Sequence, residues 1–262
     1  MSSRDINLLK ELVISDFKLR YRNLILGFSW FILKPLLIFA IYYFVFSFIV
    51  KINVQNYPIF LLLGITIWSF FAQGTSSGMN SLLKKGDIIT KTYFKKEIIP
   101  ISSAIDSSID LLFTMFIFLI FSFIFGIYPG VYSLLFILIF IELFILVLGI
   151  SFILSSLVLK YRDLIHIWEV LLLIGFWLSP IVYPISLVPK QILSIYMLNP
   201  ITRIIIDSRD IFIYNTISSI GGAILTLIMC LGIFIIGYII FKKDLQILQR
   251  KYDRNKKFRK SI

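Results

Sequence analysis

Six apolar runs, parted by short segments that hold nearly all the charge, govern what this chain can fold into. They cover about 31–50, 57–80, 99–126, 131–159, 164–183 and 217–241. A helix needs roughly 20 apolar residues to span the hydrocarbon core, and lipid tolerates no open backbone polar groups. The pattern therefore predicts an all-α integral membrane protein with six transmembrane helices in a single domain. Composition agrees. The 262 residues are 59% hydrophobic and 15% charged, with a mean hydropathy of +0.95, whereas soluble domains are about a quarter charged.

A formal charge of +12 would suit nucleic-acid binding if the cations formed one surface, but here they punctuate the apolar runs. All but four of the 26 Lys and Arg fall on one side of the predicted membrane, and Lys51, Lys190, Arg203 and Arg209 fall on the other. Cytoplasmic loops collect Lys and Arg, so both termini are expected in the cytoplasm, as an even number of spans requires. Residues 1–30 mix charges ahead of the first run and lack the pattern of a cleaved signal peptide. A lone cysteine, Cys230, excludes an internal disulfide.

The stretch "WLSPIVYPISLVPKQILSIYMLNP" (177–200) follows the fifth run on the outer side and carries Pro180, Pro184, Pro189 and Pro200. Two arrangements fit. Short broken helices over 184–200 can re-enter the outer leaflet, with these prolines and Asn199 setting the breaks, provided protein or water satisfies the freed backbone. Alternatively, an apolar loop can lie on the headgroups. The re-entrant form would make 184–200 an outer gate.

On the cytoplasmic side, residues 4–24 repeat Ile6, Leu9, Val13, Phe17 and Leu24 at helical spacing, opposite Arg4, Glu11, Ser15, Lys18 and Arg22. That predicts an interfacial amphipathic helix. Arg20 and Arg22 beyond it suit either a phosphate headgroup or simple attraction to anionic lipid. The segment 82–97, with Lys84, Lys85, Asp87, Phe94 and Glu97, is too short for a domain and forms either a docking surface or a connector. A basic tail spans 242–262.

Within the runs, Phe39, Tyr42, Tyr43 and Phe46 form a stripe, and Trp68, Trp177 and Tyr183 lie in the second and fifth runs. Such rings either stack on the C–H faces of sugars or fill gaps between helices. Intramembrane charge is costly, which singles out Glu142, with Asp106, Asp110 and Glu169 nearer the interface. Gly74 and Gly78 permit a close helix approach. No G-x-x-x-x-G-K-[ST] phosphate loop occurs, so ATP hydrolysis by that route is excluded. With His166 and Cys230 each the only residue of its type, so is a His/Cys metal centre within one chain.

Several segments, in order, resemble the transmembrane subunit of ABC transporters of the type 2 exporter class, in the branch exporting O-antigen, capsule or teichoic acid polymers. They are "DFKLRYRNLILGFSWFILKPLL" (16–37), "YPIFLLLGITIWSFF" (57–71), "YFKKEIIPIS" (93–102) and "KYRDLIHI…FWLSPIVYPISLVP…LNPIT" (160–202). Lys95 stands where the family's loop usually carries proline, while Glu97 and Pro100 match it. The resemblance implies a homodimeric permease in a bacterial cytoplasmic (inner) membrane, with no catalytic site or metal of its own. It implies two copies of a separate ATPase subunit that hold ATP and Mg and contact the N-terminal helix and the 82–97 loop. A polyprenyl-linked glycan would be the substrate, with its pyrophosphate at Arg20 and Arg22, and nucleic acid would not be a partner. Two rivals remain at this point: a drug or small-lipid exporter of the same superfamily, and a membrane enzyme acting on polyprenyl lipids through Asp106 and Asp110.

Overall fold

The computed structural model describes residues 3–21, 27–86, 94–217 and 219–260; side chains at 3, 19–21, 27–32, 34 and 246–260 lie outside that description. Among the described residues all regular structure is helical. The order is α1 (Ser3–Tyr21), α2 (Gly27–Phe44), α3 (Tyr57–Lys84), α4 (Ile98–Ile124), α5 (Phe136–Leu157), α6 (Leu164–Leu178), α7 (Lys190–Tyr196), α8 (Pro200–Arg209) and α9 (Ile220–Lys260).

Among the described residues, four stretches are long and apolar enough to cross a membrane: Tyr57–Lys84, Ile98–Ile124, Val131–Leu157 and Ile220–Leu245. Leu164–Leu178 is apolar but shorter, while α2 and the turn that follows it run as continuous helix from Gly27 to Ile49. Local chemistry shapes both helices. Pro35 interrupts the ladder inside α2, whose end relaxes into a π-helical turn at Val45–Ile49. The fifth run, expected to continue to 183, stops as a helix at Leu178. Ser179 precedes Pro180, and a residue before proline is driven to extended backbone, here φ −105° and ψ 148°. Beyond the sixth run, helical backbone continues through the basic tail to Lys260.

The bundle is built around α3, most of whose residues are buried. It lies against α4 and α5, and α9 runs along α5. Lipid offers no hydrophobic drive between helices, so close approach by small residues and internal polar bonds must hold them. Gly74 provides that approach. A methyl at Gly74 would stand 2.7 Å from the Val147 side chain, and one at Gly78 would overlap Ser151. The expected Gly74–Gly78 seam thus meets α5. Several buried hydroxyls bond within their own helices, as Thr75 Oγ1 does to Phe71 O (2.8 Å) and Ser108 Oγ to Ala104 O (2.9 Å). No buried hydroxyl in these two pairs then needs a partner from the neighbouring helix. Between helices, Gln73 Nε2 donates to Asp110 Oδ2, and Trp168 Nε1 donates to Thr75 Oγ1 (3.2 Å).

Of the expected stripe on the N-terminal helix, Leu9, Val13 and Phe17 are half-buried. Ile6, assigned to the apolar face, is 54% exposed, while Asp5 and Leu12 are buried. Leu12 joins Leu82, Ile98, Ile99, Phe152 and Phe241 in one cluster. Charge adds to this docking. Asp16 pairs with Lys85 at 2.5 Å and Asp5 with Lys95 at 3.7 Å, so α1 turns its acids towards the protein. Ile6 and Ile14 stay on the outside.

Candidate functional site

Three groups of the sequence-read residues come together, at separate places along the bundle. The first is aromatic. The α2 stripe splits between two neighbours. Phe39 and Tyr43 stack on each other (centroids 5.8 Å apart) and turn inward, Phe39 towards Phe121 of α4 and Tyr43 towards Tyr57 of α3. Tyr42 and Phe46 face α6 instead. Tyr42 stacks on Phe176 at 5.4 Å and meets the edge of Trp177 at 6.3 Å, and Phe46 also reaches Trp177. Trp68 closes the set from α3 with its ring 6.0 Å from Phe176. Phe176 is the hub of this cluster, and it was absent from the sequence-read set although it directly precedes Trp177.

The second group surrounds the break after α6. Tyr183 Oη donates to Trp177 O at 2.7 Å and lies 2.7 Å from Tyr196 Oη, so it ties the end of α6 to α7. Burial pushes the Tyr196 hydroxyl above the usual phenol range, and its bond to Tyr183 adds to the shift. Pro180 is buried; Pro184 and Pro189 bracket the turn Ile185–Leu187, and Pro189 precedes α7. Asn199 caps α8 by accepting from the Ile201 N–H (3.2 Å), and Pro200 follows in the first turn, where its missing N–H costs nothing. Two residues in this region were not singled out by sequence: Tyr57, which donates to Val182 O at 2.8 Å, and Arg209, buried behind it.

The third group frames the 82–97 segment. Lys84 is exposed at the end of α3, and Lys85 directly after it also reaches Ser102 Oγ at 3.2 Å. Phe94 packs on the Leu12 cluster, and Glu97 is the residue from which α4 starts. Lys95, where proline would have no side-chain donor, supplies the pair to Asp5. Asp87 and Arg22, and the side chain of Arg20, lie outside the described residues. Nearby, Lys160 pairs with Asp244 at 2.6 Å, tying the α5–α6 connection to α9. Of the remaining charges, Asp106, Asp110 and Glu142 are buried on α4 and α5, while His166 and Glu169 are exposed and 3.7 Å apart. Among the described residues no three His, Cys, Asp or Glu side chains are grouped to hold a metal.

An all-helical bundle with several helices long and apolar enough to cross a bilayer is the architecture of a multi-pass membrane protein. Residues 7–213 match the family model described as "ABC-2 type transporter", and the chain belongs to that family. It is similar to two O-antigen export system permease proteins RfbA of Klebsiella pneumoniae. One is 32% identical over 90% of this chain and 92% of that protein, the other 30% identical over 81% and 82%. A third, from Myxococcus xanthus, is 28% identical over 78% and 80%.

Proposed function

We propose that this chain is the membrane-spanning permease subunit of an ATP-driven exporter of a lipid-linked cell-surface polysaccharide of the O-antigen kind. The observation that carries it is the family match across 7–213 together with relatives, named as O-antigen export permeases, that align over nearly their whole length. The protein transports; hydrolysis belongs to a separate nucleotide-binding subunit, since this chain has no phosphate loop. Two copies of the chain and two of the ATPase form the working unit in the cytoplasmic membrane. All six apolar runs cross it, with Leu164–Leu178 as the short member, and both termini are cytoplasmic.

The geometry suits this work. Lys85 extends α3 and Glu97 starts α4, so a push on the segment between them passes directly into two long helices. Through its pairs to Lys85 and Lys95, α1 grips both sides of that segment. ATP binding, closing the partner subunits, moves this platform and parts the two copies along α2 and α6. Tyr42, Phe46 and Trp177 then offer ring faces to passing sugars. Weak stacking of this sort holds a polymer and also releases it. The carrier's pyrophosphate meets Arg20 and Arg22. Residues 184–200 close the path on the outside.

Depleting the protein in its own cell tests the proposal. Lipid-linked glycan should accumulate on the cytoplasmic face while surface polysaccharide falls. Normal surface polysaccharide after depletion would refute the proposal.

A further inference from the structure

Arg209 ends α8 with 3% of its surface exposed, and its guanidinium meets backbone on every side. Nε and Nη2 donate to Phe60 O at 3.2 and 3.1 Å. Nη1 donates to Pro180 O, and Nη2 donates to Ile181 O at 2.8 Å. The cation also lies 3.3 Å above the Phe60 ring. One side chain of α8 thereby joins the outer end of α3 to the break that follows α6. The planar fork makes this possible, because it presents several donors in fixed directions. Gly64 shapes the seat. A methyl there would stand 2.6 Å from Arg209 Nη2 and 3.0 Å from Ile181 O. Tyr57 adds a bond from α3 to Val182 O.

The segment that follows is held quite differently. The turn Ile185–Leu187 and helix α7 have no buried residue. Tyr183 and Tyr196 meet across them through a single hydroxyl pair, and Arg203 Nε holds the far end at Met197 O (2.6 Å). In contrast, α8 buries Ile201, Thr202, Ile204, Ile205 and Ser208 as well as Arg209.

We propose that Arg209 is the positioning residue of the outer gate: it fixes the 179–182 break to α3, so that residues 184–196 are the part that moves. This deepens the proposed export function and rests on it. The closed state then depends on the clamp rather than on α7 itself. Losing charge-assisted bonds of this kind shifts a closed-to-open ratio by about tenfold or more.

The test uses the complete permease–ATPase complex in liposomes loaded with a fluorescent dye, without nucleotide, with assembly and thermal stability measured in parallel. Arg209→Met and Gly64→Ala should each raise passive dye leak by about tenfold at matched assembly. The double variant should leak no more than the worse single one, because both changes break the same clamp. Arg209→Lys, which keeps the charge without the fork, should fall between wild type and Arg209→Met. Assembled variants as tight as wild type would overturn the proposal, as would a fully tight Arg209→Lys. If Arg209→Met fails to assemble, Gly64→Ala decides alone: leak supports the clamp and tightness overturns it. ATP-dependent glycan export by the wild-type complex is measured separately. A tight wild type that exports nothing counts against the transport function, while the leak comparison still judges the clamp.

Discussion

The Asp16–Lys85 pair is the contact most exposed to experiment, because α1 is otherwise held mainly by the packing around Leu12. The two charges are 2.5 Å apart, with side chains 27% and 10% exposed. A fully exposed pair would contribute about 0–1 kcal/mol. A sheltered hydrogen bond to a charged group contributes about 1.5–3 kcal/mol. The half-sheltered geometry places this pair between them, at about 1–2 kcal/mol, or roughly a 5- to 30-fold change in docked against undocked α1. Lys85→Asp adds repulsion from Asp16 and removes the donor to Ser102 Oγ, so it should reach the upper end. Hydrogen–deuterium exchange over residues 3–21 reads the docking directly. Lys85→Asp and Asp16→Lys should each accelerate exchange there, and the exchanged pair, Asp16→Lys with Lys85→Asp, should largely restore protection. Unchanged exchange in Lys85→Asp would refute the claim that this contact holds the helix.

Other changes separate packing from path. Tyr42→Ala with Trp177→Ala should stall glycan export while leaving the ATPase bound, as transport and co-purification assays would show. Phe39→Ala, by contrast, empties a buried core site and should cost roughly 3–5 kcal/mol in unfolding experiments. Gly78→Leu drives a side chain into Ser151 and should lower thermal stability by about 1–3 kcal/mol or more through overpacking at the α3–α5 seam. Lys160→Ala leaves Asp244 buried without its 2.6 Å partner and should cost about 1–3 kcal/mol, with Lys160→Arg largely neutral in the same melt.

Much of the frame was legible because membrane helices announce themselves through unbroken apolar length, and because the Gly74–Gly78 spacing states where a close approach can occur. Helix ends were legible only in part. Pro180 marked a break near the end of the fifth run, but its effect falls on the preceding residue, so the helix yields at Ser179 rather than 184. The docked face of α1 was half legible, since Leu9, Val13 and Phe17 of the stripe are half-buried, but periodicity cannot show that Asp5 and Asp16 have lysines waiting at 95 and 85. The aromatic seam was half visible. A stripe on one helix is read from spacing, but which neighbour each ring meets depends on how α6 lies against α2. Arg209 was counted only as an outer-side charge, because three carbonyl acceptors from distant segments leave no mark on sequence.

Whether this permease draws its energy from a partner is the central question. Purification from the native membrane in mild detergent, followed by ATPase measurement with and without lipid-linked glycan, addresses that most directly. The expected result is a phosphate-loop ATPase present in equal amount, with glycan-stimulated hydrolysis that is lost when Phe94 and Glu97 are replaced by alanine. A chain that runs alone, with no hydrolysis under gentle conditions and no response to glycan, would contradict it.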